Sequence, residues 1–329
     1  MEPTLSLVIP FCDVELYLPA CLESIAGQTL VDFEAVLVDD GSVDGSGEIA
    51  EEYAGRDGRF HVVHQANRGP GAARNFGLRK ARGQYLGFVD ADDVVARDAF
   101  ERLVDSLRET DSDLACGGVE RFNSTSRWAS PLHADIFEEP RKRTHITRHR
   151  ALLGDRTVWN KVYRRSFWRQ HGFLYPEHPY EDGLVSVSAH VLAESVDVIT
   201  GPVYFWRQRD AGPLSITQRE LDLRNIDGRI RQIQAISEFL AARDAGLRDA
   251  YDRAALEHDV IILLMAAPRL EAPCRDEVLD FAREFAGRVS EDVLRRLSEE
   301  NLKFYCLLLE RRTGDLFCHL EDRRQDALL

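Results

Sequence analysis

The sequence predicts an α/β fold, with a mostly parallel sheet flanked by helices and followed by a helical C-terminal region. From residue 5 to about residue 120, short β-type runs alternate with longer amphipathic helical patterns, as in parallel sheets joined by crossover helices. From about residue 218 onward, nearly every segment has helical periodicity. The length of 329 residues suits about two domains. We therefore predict one domain at 1–217 and a helical accessory region at 218–329.

Five strands and four helices account for the alternating part of the chain. Pro10 ends the first strand because proline cannot continue a strand ladder. Right-handed crossovers would place the intervening helices on both faces of the sheet. The predicted strands are Leu5–Ile9, Glu34–Val38, His61–His64, Tyr85–Val89 and Asp113–Gly117, and the predicted helices are 15–27, 44–54, 70–81 and 97–108.

The segment 121–158 is polar and irregular, which predicts a loop. It includes a basic run at 141–150, which could contact an anionic ligand or membrane leaflet, although a solvated charge run is the commoner case. A helix is predicted at 182–194 and a strand at Val203–Trp206.

Composition and charge exclude several classes of protein. With 44% hydrophobic and 30% charged residues, the chain is neither collagen-like nor disordered. The net charge of −14 argues against a nucleic-acid partner. The six cysteines form no CxxC pair and no zinc-ligand spacing, which indicates reduced cysteines. The N-terminus lacks a signal-peptide pattern, and the longest apolar run, Val260–Ala267, is too short to span a bilayer. We expect a cytoplasmic protein, at most in peripheral contact with the inner face of the membrane.

Carboxylates follow three of the predicted strands. Asp13 follows the first strand, Asp40 the second, and a cluster at 90–93 follows the fourth. Because ligands bind beyond the C-terminal ends of parallel strands, these side chains would meet at one edge. The D-x-D pattern of Asp90 and Asp92 suits Mg²⁺ or Mn²⁺ bridged to a diphosphate. Alternatively, each aspartate is a turn or helix-capping residue, which suffices for any one site alone.

The segment 67–75 leads from the third strand into a helix. The helix N-terminus, its free N–H groups and the arginines at 68 and 74 would suit an anion. A glycine-rich turn with solvated arginines is the alternative. The glycines at 69, 71 and 77 do not spell G-x-G-x-x-G, which argues against dinucleotide binding.

Several long motifs occur in order and with consistent spacing, and together they resemble the family 2 glycosyltransferases, whose fold is called GT-A. The motifs are Leu7–Pro10, Leu16–Ile25, Val38–Ser46, Gly69–Leu78 and Gly83–Asp93. Where the family often has an aromatic residue and asparagine after the first strand, this chain has Phe11 and Cys12.

The resemblance implies a role for each matching residue. Asp40 and Pro10 would line a uracil pocket, with Phe11 beside the base and Asp13 near the ribose and phosphates. Asp92 would bind the metal, Mn²⁺ or Mg²⁺. The remaining implied contacts to the nucleotide sugar come from Asn67, Arg74, Asp90 and Ala91.

A Glu-Asp pair before the helix at 182–194 resembles the family's motif for the catalytic base. An inverting transfer needs one carboxylate to take the proton of the acceptor hydroxyl. The resemblance assigns this role to Asp182, with Glu181 orienting sugar or acceptor and raising the pKa of the base. The alternative makes Asp182 an N-cap and Glu181 a first-turn residue.

Segments at 159–167, 204–209 and 215–217 resemble a bacterial branch of the family that decorates cell-envelope polymers, including wall teichoic acid and capsule enzymes. In that branch an arginine loop closes over the diphosphate, which implies that Arg207 and Arg209 stabilise the leaving group. The implied donor is a nucleotide sugar, most often a UDP-sugar, and the implied acceptor is a glycan or a polyol-phosphate polymer.

The C-terminal helices are candidates for a homo-oligomer interface, an acceptor site or a membrane-facing surface. Their apolar stripe suits the core of the same chain equally well. The residues considered are Phe304, Leu307, Leu308, Phe317 and Leu320.

The sequence thus predicts an inverting, metal-dependent glycosyltransferase. Two alternatives remain open: a nucleotide-sugar-binding or scaffold protein of the same fold without turnover, and a transferase of another group on this fold.

Overall fold

The computed structural model describes residues 2–219 and 221–326. Contacts between Cα atoms divide the chain between Leu214 and Ser215 into two compact units. The first unit is α/β and the second is helical, so the predicted fold class is confirmed. The division lies close to the predicted boundary at 217. The assignment of catalysis to the first unit and of an accessory role to the second stays a prediction.

Ten strands of the first unit form one sheet in the order β3-β2-β1-β4-β9-β6-β10-β5, to which β7 and β8 add at the side. The strands are β1 Leu5–Phe11, β2 Phe33–Asp39, β3 Phe60–His64, β4 Tyr85–Phe88, β5 Val94–Val95, β6 Leu114–Phe122, β7 Arg127–Ala129, β8 Arg141–Thr144, β9 Lys161–Arg164 and β10 Val196–Arg207.

Four helices of the first unit match the predicted crossovers and one matches the helix predicted at 182–194, whereas the helix at Arg165–His171 was not predicted. The helices are α1 Leu18–Ala26, α2 Ser46–Arg56, α3 Pro70–Lys80, α4 Ala99–Thr110, α5 Arg165–His171 and α6 Asp182–Leu192, with 3-10 turns at Ala134–Ile136 and Arg150–Gly154.

The sheet is mixed. Strands β3, β2, β1 and β4 pair in parallel, as do β6 and β10, whereas β5, β7, β8 and β9 pair antiparallel with their neighbours. The prediction of a loop at 121–158 is wrong, because β7 and β8 lie there. Three of the four side chains of β8 are charged and exposed, so backbone pairing with β10 forms this strand without a hydrophobic signal. The short antiparallel strand β9 was also not predicted.

Helix α3 packs closely on the sheet because residue 77 has no side chain. A Cβ atom at Gly77 would lie 2.4 Å from Cγ1 of Val8 and 3.1 Å from Cγ2 of Val38. The helix begins at Pro70, after Gly69 with a φ of 89°, a conformation that favours glycine. This packing fixes the N-terminus of α3 at the edge of the sheet where β1 and β2 end.

A buried carboxylate joins three elements behind the sheet edge. Asp197 on β10 is fully buried. Its oxygens accept hydrogen bonds from Ser106 and Thr110 of α4, from Ser112, and from the backbone N–H of Arg143 in β8, at 2.6 to 2.9 Å. Because every bond comes from a neutral donor or the backbone, this aspartate is structural.

The second unit is built only of helices among its described residues. Four of the five apolar residues considered for a docking surface, namely Phe304, Leu307, Leu308 and Leu320, are buried. They therefore belong to the core of this unit. None of the described helices combines the length and apolar character needed to cross a bilayer. The helices are α7 Leu223–Ala241, α8 Ala245–Ala254, α9 Val260–Ala266, α10 Ala272–Arg288, α11 Glu291–Arg295, α12 Glu299–Leu309 and α13 Thr313–Asp326, with a π-helical turn at Ala255–Asp259 and a 3-10 turn at Ala267–Arg269.

Two helical glycines provide a matched test of the packing of α3. We expect Gly77→Ala to lower the free energy of unfolding by about 1–3 kcal/mol, because the added methyl group overpacks the contact with Val8 and Val38. Gly55→Ala in α2, where a Cβ would meet nothing within 4 Å, should instead stabilise by about 0.5–1 kcal/mol. Urea unfolding of both variants measures the difference. Equal midpoints would show that α3 does not press on the sheet.

Candidate functional site

The predicted site lies at one edge of the sheet, where three adjacent parallel strands end. Strands β2, β1 and β4 are neighbours in the sheet. Asp40 follows β2 directly, and Asp13 and Asp90 come two residues after the ends of β1 and β4. The topology therefore brings together the acidic strand ends that the sequence singled out.

Asp40 organises the loop that precedes α3. Its Oδ1 accepts hydrogen bonds from Gln65 Nε2 at 2.7 Å and from the N–H of Arg68 at 2.9 Å, and its Oδ2 accepts from the N–H of Gly69 at 2.7 Å. The side chain is 4% exposed. Asp40 thus shapes the wall of the predicted base pocket by holding the backbone of residues 65–69.

The corner after β1 is built from Asp13 and Cys12. Asp13 has a φ of 51°, and its Oδ1 accepts hydrogen bonds from the N–H groups of Val43 at 2.8 Å and Asp44 at 3.4 Å. Asn67 Nδ2 donates to Cys12 Sγ at 3.2 Å. Burial, together with Asp13 and Asp40, raises the pKa of Cys12 to about 11, so the thiol stays protonated and can accept this bond.

Pro10, Phe11 and Ala91 lie behind this surface. All three residues are buried, with Phe11 at 3% exposure. The described structure places them at the edge where their predicted ligand would bind, and their predicted contacts with a nucleotide sugar stay predictions.

Arg74 joins the D-x-D segment to the Glu-Asp pair. Its Nη2 lies 2.5 Å from Asp90 Oδ1, and its Nη1 donates a short hydrogen bond to Glu181 Oε1. The guanidinium is 4% exposed and lies over the ring of Tyr175, 5.5 Å from the centroid. Arg74 was predicted to contact the nucleotide, but in this structure both ends of its guanidinium are bound to carboxylates. It holds two halves of the site together.

The carboxylate of Asp182 is bonded to the backbone N–H of its own residue rather than to another side chain. Asp182 is the first residue of α6, whose N-cap is Glu181 and whose N-terminus has no side-chain cap. The alternative of Asp182 as a capping residue is therefore wrong. Within the described part of the chain, no other side chain bonds to its carboxylate. Desolvation by the surrounding protein and the neighbouring charge of Glu181 raise its pKa to about 7, against the opposing charge of Arg74.

Two contacts hold the segment before α6 against α3. Asn75 donates a hydrogen bond to the backbone oxygen of Tyr175 at 2.8 Å and accepts one from its N–H at 2.9 Å. Gly71 leaves room for the same segment, since a Cβ there would lie 2.0 Å from the backbone oxygen of Pro176. The sequence analysis missed Asn75 as a site residue, although it stands next to Arg74 in the same motif.

The D-x-D segment is bound to the end of β10. Arg209 approaches Asp92 Oδ2 with its Nε at 2.8 Å and its Nη2 at 2.6 Å. Arg207 donates from its N–H to Asp93 Oδ1 at 2.7 Å and from Nε to the backbone oxygen of Asp92 at 2.5 Å. Both predicted arginines therefore lie at the predicted metal site, and Arg209 contacts the carboxylate assigned to the metal.

Two tyrosines that were not predicted as site residues contact this region, Tyr17 at the arginines and Tyr204 at Asp90. The guanidinium groups of Arg207 and Arg209 each lie 5.1 Å from the centroid of Tyr17, whose hydroxyl donates to the backbone oxygen of Ala211. The hydroxyl of Tyr204 accepts the N–H of Asp90 at 3.0 Å. Both tyrosines occur in motifs that carry the family resemblance, which was the available signal.

The residues around Asp92 fit a divalent cation. Carboxylate oxygens are the ligands that Mg²⁺ and Mn²⁺ prefer. The guanidinium at Asp92 Oδ2 shows that this carboxylate is placed to receive a positive charge. Asp92 would hold the metal together with the phosphates of a bound ligand.

A second cluster of potential metal ligands does not fit a metal. Cys116, Asp155 and His190 are buried close together, but the ammonium of Lys161 lies 2.6 Å from Asp155 Oδ1 and 2.7 Å from Asn160 Oδ1. Burial raises the pKa of the Cys116 thiol well above its usual range, so the thiol is protonated. The lysine supplies the positive charge that a metal would bring.

The basic run at 141–150 is partly neutralised. Lys142 forms an ion pair with Glu109 at 2.5 Å, and Arg141 forms one with Glu139 at 3.2 Å. Arg143 donates to the backbone oxygen of Thr110. That the basic run at 141–150 binds a ligand therefore stays a prediction.

Comparison with known proteins agrees with the family resemblance. A family model described as Glycosyl transferase family 2 matches residues 6–172. The "Uncharacterized glycosyltransferase EpsJ" of Bacillus subtilis (strain 168) is 36% identical over 228 residues, which cover 66% of this chain and 64% of EpsJ. The poly(ribitol-phosphate) beta-glucosyltransferase of Bacillus spizizenii is 27% identical over 221 residues, which cover 64% of this chain and 33% of that protein. This chain thus spans less than two thirds of either relative.

The crystal structure of S. aureus TarS 1-349 in complex with UDP is similar to the whole chain. Its TM-score is 0.76 at 20% identity, with 99% of this chain and 92% of that chain covered. At this identity the likeness concerns the fold, and it confirms the predicted GT-A fold.

The buried lysine makes a prediction about stability. We expect Lys161→Met to lower the free energy of unfolding by about 3–5 kcal/mol, because it leaves Asp155 as an unpaired buried charge. The double variant Asp155→Asn, Lys161→Met should recover part of the loss, and treatment of the wild type with EDTA should leave its unfolding midpoint unchanged. Chemical unfolding measures all three. A loss of stability on EDTA treatment that persists in Asp92→Ala, which lacks the other proposed metal site, would show that a metal is bound at this cluster.

Proposed function

The chain belongs to glycosyl transferase family 2, and we propose that it transfers a sugar from a nucleotide sugar to a hydroxyl group of a glycan or polyol-phosphate polymer. The observation that carries this proposal is the pairing of two features at one sheet edge. The D-x-D segment is linked by Arg74 to the Glu181–Asp182 pair, and Asp182 alone in this network has a carboxylate free to accept a proton.

A UDP-sugar is the proposed donor. The similar structure of TarS contains UDP. In this chain Asp13, Asp40 and Asp90, which the family resemblance assigns to the nucleotide, follow β1, β2 and β4. The backbone of residues 65–69, shaped by Asp40, would face the base, and Asp13 would lie on the side of the ribose and phosphates. These contacts and those of Asn67 and Asp90 rest on the family resemblance together with their shared location.

The proposed chemistry is a single displacement with inversion. The acceptor oxygen attacks the anomeric carbon from the face opposite the nucleotide, the bond from that carbon to the diphosphate oxygen breaks, and Asp182 takes the proton of the attacking hydroxyl. Glu181 is tied to Arg74 and acts by positioning α6 and raising the pKa of Asp182. One carboxylate suffices, because no covalent intermediate forms.

Departure of the diphosphate requires positive charge. A divalent cation held by Asp92 would neutralise the leaving group when bound. Arg207 and Arg209 lie beside Asp92. Their guanidinium groups can therefore also stabilise the negative charge that develops on the departing diphosphate.

The proposed acceptor follows from the relatives. One of them is named for acting on poly(ribitol-phosphate), which suggests an envelope polymer, made at the inner face of the membrane. The same fold could serve a binding protein without turnover or a transferase of another group. The Asp182 carboxylate, which binds no other side chain among the described residues, favours glycosyl transfer over both.

Asp182 provides the test of this function. We expect Asp182→Asn to lower the rate of sugar transfer, and of slow UDP-sugar hydrolysis, by about 10²–10⁴-fold, because the amide cannot accept the proton. UDP affinity, measured by calorimetry, should stay near the wild-type value. For the wild type, kcat/KM should fall as the pH drops through about 7, where Asp182 becomes protonated.

Glu177→Gln is the matched control, since Glu177 lies on the same segment and is half exposed. It should keep both the rate and the pH profile. Transfer by Asp182→Asn at the wild-type rate would rule out Asp182 as the base, and a wild type that binds no nucleotide sugar in a screen of UDP-, GDP-, CDP- and dTDP-sugars would rule out the function.

The contact between Arg209 and Asp92 gives a prediction for metal binding. We expect Arg209→Ala to increase the Mn²⁺ affinity of the nucleotide-free protein several-fold, because it frees Asp92 Oδ2. Asp92→Ala should abolish this binding. Electron paramagnetic resonance of free Mn²⁺ measures both. If Asp92→Ala binds Mn²⁺ as the wild type does, the metal site lies elsewhere.

A further inference from the structure

Arg121 is a partly exposed cation without a counter-ion. It lies on β6, and among the described residues no hydrogen bond or ion pair involves its guanidinium. Its Nε is buried without an acceptor, and burial lowers its pKa. The guanidinium lies over the ring of Trp206, 4.4 Å from the centroid. A desolvated guanidinium without an acceptor is costly, and an anion would satisfy it.

The register of the sheet places Arg121 beside the proposed site. In the parallel pairing of β6 and β10, Arg121 is opposite Trp206, and the next pair contains Arg207. Side chains two residues apart on a strand point to the same face. Tyr204 therefore shares the face of Trp206 and Arg121, and its hydroxyl contacts the N–H of Asp90.

Aromatic rings connect this face to the helix of the proposed base. Trp159 stacks on Tyr204 with centroids 4.2 Å apart and lies 5.8 Å from Trp206. Two residues before Trp159, the backbone oxygen of Thr157 accepts a hydrogen bond at 3.0 Å from Ser186, which lies one turn after Asp182 on α6. The rings are thus linked to the D-x-D segment through Tyr204 and, through residues 157–159, to the first turns of α6.

His133 adds a second unsatisfied polar atom. It is 2% exposed, and its ring centroid is 5.8 Å from that of Trp159. Its Nδ1 lies 2.9 Å from Ser130 Oγ, whereas its Nε2 is buried without a partner. Burial lowers the pKa of His133 to about 4, so the ring is neutral and Nε2 can donate one hydrogen bond when Nδ1 accepts from Ser130.

We propose that Arg121, held on the ring of Trp206 and here called with it the Arg121 subsite, binds an anionic group of the acceptor, either a phosphodiester or a carboxylate. This inference rests on the proposed function, because it gives the acceptor its position relative to Asp182. The planar guanidinium, held on Trp206, can bind two oxygens of such a group at once. A bound anion would fix the register of a repeating chain and so select which hydroxyl reaches the base.

The experiment measures acceptor binding without turnover. The probes are a ribitol-phosphate oligomer for the phosphodiester, an oligogalacturonate for the carboxylate, and free ribitol as the neutral reference. Binding to the full chain is measured by calorimetry for the wild type, Arg121→Gln and Arg121→Lys. We expect the wild type to bind one of the anionic chains at least about tenfold more tightly than ribitol. Arg121→Gln should lose that preference, and Arg121→Lys should keep part of it.

Arg127→Gln is the matched control, because Arg127 lies close by on β7, over the ring of Phe205, and already has Glu120 as a partner at 3.7 Å. It removes the same charge and should leave binding unchanged. UDP binding, measured on each variant, shows that the site is folded. Equal affinity of Arg121→Gln and the wild type, an equal loss in Arg127→Gln, or no preference of the wild type for either anionic chain would overturn the proposal.

The outcomes separate this inference from the proposed function. If the protein transfers no sugar but still binds an anionic chain through Arg121, the subsite stands and the transfer fails. If Asp182-dependent transfer occurs while Arg121→Gln keeps the wild-type acceptor KM, the function stands and the subsite fails.

Discussion

The buried bridge from Asp90 through Arg74 to Glu181 is the interaction on which the site depends. Its two carboxylates come from segments distant in the chain, one after β4 and one before α6. Removing the guanidinium would leave the buried carboxylate of Glu181 and the partly buried carboxylate of Asp90 without their cation, a situation that costs several kcal/mol. Asp92 and Asp182 are close in sequence to the bridged carboxylates. The geometry that Arg74 sets for its own partners therefore also constrains the distance between the proposed metal-binding group and the proposed proton-accepting group.

The parallel part of the fold could be predicted from the sequence, because apolar strands alternating with helices have only a few topologies. The same rule predicted that Asp13, Asp40 and Asp90 share an edge. Strand β8 could not be predicted, since three of its four side chains are charged and exposed and its pairing with β10 gives no hydrophobic signal. The Arg74–Glu181 pair could not be predicted either, because two residues 107 positions apart give no local signal of their contact.

The chemical roles of the site residues were harder to predict than their positions in the fold. Arg74 stands in a segment suited to anions, and the sequence cannot show that carboxylates of the same chain already occupy its guanidinium. Tyr17 illustrates the converse: a helix-start residue, it supports two arginines nearly two hundred positions later. The unpaired Arg121 is visible only when its neighbours are known, because an arginine without a partner looks like any other in a sequence.

The contact between Arg209 and Asp92 has a consequence for how the site fills. In the proposed reaction, loading of the cation would be an exchange in which the metal ion enters as the Arg209 guanidinium leaves, so the carboxylate of Asp92 would keep a counter-charge throughout. The arginine released in this way belongs to the segment that follows β10, and it would be released from Asp92 when a diphosphate enters the site. Closure of that segment over the site would then depend on whether the cation and the diphosphate are bound, while the sheet keeps its position.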